Sequence, residues 1–273
     1  MTTRFLPPIA AASLILVACS SGPPPIKPGS PAFFWAVARE SYRTGDLLKT
    51  QSTLLELSQG DNEFAARAGI WHLVVSAGVM KGLGDLADAY QAGSEITPGR
   101  FRQEAAALHG MAASAALEFT QAVYEEHGER HASVKFAFGF PPGSDARPPA
   151  LDMIAKGTWL SDDGREALQR AALQRAVILA ASAVVGNAED PAKARGVFTA
   201  PETQVARETF FFGLAKLLYE GSDLFGPKRL DRPERQMIMC RGAIETLRLI
   251  PETDATKALA ADVQAAVKRI PGI

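Results

Sequence analysis

Two stretches of this chain, IWHLVVSAGVM at residues 70–80 and AVILAASAVV at residues 176–185, are apolar on nearly every side of a helix. Helices of that kind offer water no face, so other elements must enclose them. Each is also too short to cross a bilayer, which takes about 20 apolar residues. The chain therefore has to wrap a protein interior around two central helices. An ordinary core is the first reading of that interior. A hydrophobic cleft between the two helices, able to take a lipid or another apolar ligand, is the second.

The surrounding sequence also speaks the grammar of helices. Ser30-Pro31, Thr97-Pro98 and Asp190-Pro191 each place a capping side chain before a proline at the first helical position. Thr199 with Glu202, and Asp231 with Glu234, have the reciprocal capping spacing. These signals predict helices at about residues 32–43, 46–58, 62–81, 85–95, 98–128, 161–186, 202–222, 232–249 and 252–269. Leu47, Leu54, Leu55 and Leu57 fall near one face, as do Phe211, Leu214 and Leu218. Strand-like alternation is confined to Phe136, Phe138 and Phe140, which run into Pro141-Pro142-Gly143 and read as a loop. The expected class is all-α, built of antiparallel helix pairs.

Two junctions suggest a repeat. Tyr42-Arg43-Thr44-Gly45-Asp46-Leu47 closes one helix and opens the next, and Met80-Lys81-Gly82-Leu83-Gly84-Asp85-Leu86 reads the same way. On these junctions, residues 32–95 resemble tetratricopeptide-type repeats. The spacing exceeds that family's thirty-four residues, and its full pattern of Trp, Leu, Gly, Tyr, Ala and Pro is absent. The resemblance implies a degenerate helical array with a concave face suited to peptides or partner domains. An irregular helical bundle is the alternative.

The N-terminus carries a second resemblance. Arg4 is the only charge before Lys27, and a short apolar run over residues 9–18 ends at Leu16-Val17-Ala18-Cys19-Ser20. Positive start, apolar run and small residue before the break are the layout of a secretory signal. The break resembles the lipobox of bacterial lipoproteins. The resemblance implies diacylglycerol on Cys19, cleavage before it, and anchoring in a membrane. Ser20, where Asp would direct retention, implies the periplasmic face of the outer membrane. The expected organisation is a signal peptide at 1–18, a lipidated tether at 19–31 and a helical domain at 32–273. Five prolines among the twelve residues 20–31 favour extended polyproline II. A tether of that length reaches roughly 35 Å.

Chemistry is sparse by comparison. With 29 basic against 30 acidic residues the net charge is -1, which argues against a nucleic-acid partner. If Cys19 carries lipid, Cys240 has no partner for a disulfide; its neighbours Met237, Ile238 and Met239 suggest burial. His127 and His131 stand four apart, the spacing of a zinc-binding helix, but Gly128 and Arg130 occupy the positions where such motifs need glutamate. Asp162-Asp163 opens a helix, where carboxylates complement the dipole. No phosphate loop, dinucleotide loop or serine nucleophile motif occurs. No residue is assigned a catalytic or metal-binding role, and no cofactor is expected. Trp35, Tyr42, His72, Tyr90, His109 and Trp159 read as packing residues. The expected function is a lipid-anchored scaffold or adaptor for a periplasmic protein. The alternatives are a ligand-binding accessory of envelope transport, in the manner of some tetratricopeptide-type lipoproteins, and an envelope hydrolase using His127 or His131.

Overall fold

A computed structural model describes residues 26–128, 133–136, 138–188, 190–199 and 204–271. Its helices are α1 (Pro31–Thr44), α2 (Leu47–Ser58), α3 (Ala65–Ile96), α4 (Arg100–Glu126), α5 (Pro149–Ala155), α6 (Asp162–Val184), α7 (Pro191–Thr199), α8 (Arg207–Ser222), α9 (Pro233–Leu247) and α10 (Asp254–Val267). A 3-10 turn at Asp223–Phe225 follows α8. Two short strands, β1 (Ser133–Lys135) and β2 (Gln204–Ala206), pair antiparallel with Val134 opposite Val205. The described chain is all-α apart from this ribbon.

Helix α3 is the axis of the fold. It packs against α2, α4, α5 and α6; a second layer continues from α6 to α8, α9 and α10. All of residues 70–80 are buried in α3, and Ala176, Val177, Ile178 and Ala180–Val184 are buried in α6. The all-apolar stretches therefore form the centre, as their composition demands. Trp71, Phe101, Phe119, Phe210 and Phe211 fill the space around them with almost no exposure. Each such side chain contributes about 1.5–3 kcal/mol by leaving water.

The expected break at residues 80–86 does not exist. Helix α3 runs unbroken through Gly82 and Gly84 to Ile96. Gly78 and Gly82 serve a crossing, not a turn, while Gly84 faces the Leu224 side chain. A Cβ on Gly78 would stand 2.5 Å from Val177 Cα, and one on Gly82 would stand 3.0 Å from Leu173 Cα. Only glycine lets the α3 and α6 backbones approach so closely, and the contact offsets the ~1 kcal/mol helix cost of each glycine. The same contact fits the first reading of that interior, an ordinary core: along Gly78–Gly82 there is no room for an apolar ligand.

Helix ends divide in the same way. Gly45 adopts the left-handed conformation that ends α1, and the Asp46 side chain accepts from Lys49 N at 3.2 Å to open α2. Ser30 accepts from Phe33 N at 3.2 Å, and Asp190 from Lys193 N at 3.3 Å, so both Ser-Pro and Asp-Pro starts are present. Thr97 instead ends α3, with Gly99 before α4, and Thr199 ends α7, its hydroxyl donating to Gly196 O. Arg232, not Asp231, is the N-cap of α9, and no side chain caps that helix. Helices α5 and α7 lie outside the predicted ranges. Phe136 and Phe138, read as a loop entry, are partly buried and pack against the core, 5.5 and 5.2 Å from Trp71, centroid to centroid.

Candidate functional site

Past its apolar half, α3 turns charged on one side. Lys81, Asp85 and Asp88 are spaced four and three residues apart, so they share a face. Opposite them stand Leu217 and Glu220 of α8, the 3-10 turn and Arg229. Together these elements border a cleft of about 290 Å³ lined by Lys81, Asp85, Glu220, Asp223 and Arg229 with Met80, Leu217 and Leu224, and Asp88 stands just outside it. That volume lies at the lower edge of the ~300–1,000 Å³ typical of small-molecule sites. It suits a side chain or two better than an acyl chain.

Ion pairs of both directions frame the cleft. Lys81 Nζ donates to Glu220 Oε2 at 2.9 Å across the α3–α8 gap. Arg175 of α6 reaches Asp85 Oδ2 at 3.3 Å, and Arg229 bonds Asp88. His109 of α4 brings Nε2 to 3.6 Å from Asp88 Oδ1, within ion-pair range but longer than a hydrogen bond. Burial raises the Asp85 carboxyl above its ordinary value, against the pull of Lys81 and Arg175. Burial acts on Asp88 too, yet His109 and Arg229 outweigh it and hold that carboxyl below the ordinary range. Each carboxylate thus has a guanidinium beside it, Arg175 at Asp85 and Arg229 at Asp88, while their surroundings shift the two in opposite directions.

Other residues singled out by sequence go elsewhere. Cys19 and His131 lie outside the described residues. His127 sits half-buried at the end of α4, its Nε2 2.9 Å from Thr246 Oγ1. The Thr246 hydroxyl donates to Gly242 O at 2.7 Å, so Nε2 of His127 is the donor to Thr246. Among the described residues no group of three His, Cys, Asp or Glu could hold a metal. Cys240 is buried and unpaired, and burial pushes its thiol up, away from the reactive thiolate. Asp162 and Asp163 occupy the first turn of α6, where Ser161 caps it. Trp35 stacks on Phe64; Tyr42 meets Trp71; Tyr90, Phe101 and Trp159 form one aromatic group. His72 is buried with Nε2 unpartnered and 4.0 Å from Glu118.

Sequence reading missed the cleft. The signal was present: three charges at helical spacing directly after an apolar stretch. Taking Gly82 and Gly84 as a turn broke the frame in which Lys81, Asp85 and Asp88 align. Arg175, Glu220 and Arg229 come from distant segments that only the fold brings together. No helix among the described residues is long and apolar enough to cross a membrane. No family model, curated protein or solved structure matches this chain.

Proposed function

We propose that this chain is an exported lipoprotein, anchored through Cys19 at the periplasmic face of the outer membrane, whose helical body is an adaptor for a protein partner. The observation that carries the reading is the cleft between α3 and α8. Its apolar floor and its rim of opposed charges suit an inserted side chain flanked by a polar segment of a partner. Apolar anchors within a polar rim are the anatomy of protein–protein contacts. The half-exposed ion pairs give such a contact selectivity without requiring much of the body's stability.

A ligand-carrying accessory is the second reading. It would need a chamber for its cargo, and the close crossing of α3 on α6 at Gly78 and Gly82 leaves none there. A hydrolase reading at His127 would have to use the Thr246 hydroxyl 2.9 Å from its Nε2, but that hydroxyl is fully buried and already donates to Gly242 O.

Crosslinking in intact cells, followed by recovery of the full chain from membranes, tests the adaptor reading. One protein enriched well above background is the expected result; recovery of the chain alone would count against it. Labelling with a radioactive fatty acid tests the anchor separately. Label should follow the chain and disappear with Cys19→Ala.

A further inference from the structure

On the outer side of α1 lies a second groove, about 430 Å³, lined by Ala36, Arg39 and Arg43 of α1 and by Phe138, Phe140 and Pro142 of the loop before α5. The loop is held in place: Tyr42 Oη donates to Gly139 O at 3.3 Å, and the Arg195 guanidinium lies 4.5 Å over the Phe140 ring. Aromatic rings and a proline therefore form one wall; on the other stand Arg39 and Arg43, the latter donating to Glu40 Oε1 and Oε2 at 2.6 and 2.8 Å. This is the chemistry that receives a polyproline II segment. Prolyl rings pack on aromatic faces, and the free carbonyls of that backbone need donors.

The chain supplies such a segment and aims it. Lys27-Pro28-Gly29-Ser30 is a reverse turn, closed by Ser30 N to Lys27 O at 3.1 Å with Gly29 at φ +77°. Proline second and a left-handed glycine third define a type II turn, which only glycine adopts without strain. A reverse turn immediately before a helix sends the preceding residues back alongside that helix. Residues 20–26 in polyproline II span ~19–22 Å. The stretch of α1 from its first residue to the far end of the groove, residues 31–43, spans about 18–20 Å, with the groove itself along residues 36–43. The turn lets the chain double back toward α1, and length and chemistry agree with docking there.

We propose that the proline-rich segment at residues 20–26 docks in this groove of its own chain, antiparallel to α1, with Pro23–Pro25 over Phe138 and Phe140 and residue 20 near Arg43. Docked, the tether no longer provides its full reach. The anchor then lies against the α1 side of the body, and undocking lengthens the leash.

Photo-crosslinking in the full chain tests this. With Ser21→p-benzoylphenylalanine, irradiation is expected to give intramolecular adducts concentrated at residues 39–43 and 138–142. Adding Ala36→Glu and Arg39→Glu, both exposed positions, is expected to lower that yield about tenfold. Thermal unfolding checks that the body is unchanged. Adducts scattered over the surface, adducts confined to a second molecule, or a yield indifferent to the groove substitutions would each overturn the proposal.

Discussion

His72 is the residue most at odds with its surroundings. It sits in the apolar half of α3 with Nε2 shielded and unpartnered, and burial lowers its pKa from 6.5 to about 4. The fold therefore holds the neutral ring, and the unfolded chain binds a proton more readily than the native one. Stability linked to this group is fully present above pH 6.5 and is lost as pH falls from 6.5 toward about 4. The loss at the acid end is roughly 3 kcal/mol, at 1.36 kcal/mol per pKa unit. His72→Leu keeps the volume and removes both the titration and the orphaned nitrogen. Denaturant unfolding between pH 7 and pH 4 should show a flatter acid limb in this variant, with little change at pH 7. An acid limb as steep as that of the parent would mean that His72 is hydrated or paired in the native state.

Among the elements, α3 and α6 show how one residue type can carry opposite meanings. Gly78 lies under Val177, whereas Gly110 on the exposed side of α4 has no atom within 4 Å of the position its Cβ would take. Gly78→Ala should destabilise by about 1–3 kcal/mol through forced separation of two backbones, even though alanine is the better helix former. Gly110→Ala should stabilise by roughly 0.5–1 kcal/mol. Thermal unfolding of the two variants side by side checks the pair. Equal effects of either sign would contradict the close crossing. The contrast also marks what the sequence could disclose. The two apolar stretches, the junction at Gly45-Asp46 and most helix spans follow from local patterns, and they stand. Gly82 could not be sorted into crossing or turn from local sequence, because that depends on α6, some ninety residues away. Helix α5 has too few residues to show a period, and the phenylalanines before it alternate like a strand while packing as a core lid. The cleft needs three separate segments, so no single stretch announces it.

For the molecule as a whole, the cleft and the tether groove lie on different elements: α3 and α8 for the first, α1 and its neighbouring loop for the second. Contacts made by the cleft should be salt-sensitive. Raising ionic strength from 0.05 to 0.5 M shortens the screening length from about 14 to about 4 Å and should weaken partner capture. Capture indifferent to salt would move the contact off the charged rim. The stability of the body should respond much less, since partly exposed pairs contribute only about 0–1 kcal/mol each. The most direct measurement is capture by the double variant Lys81→Gln, Arg229→Gln in the crosslinked full chain, with thermal unfolding measured alongside. The account predicts an intact fold and loss of the recovered partner. A partner retained at parental yield by a well-folded variant would contradict the assignment of the cleft as the docking site.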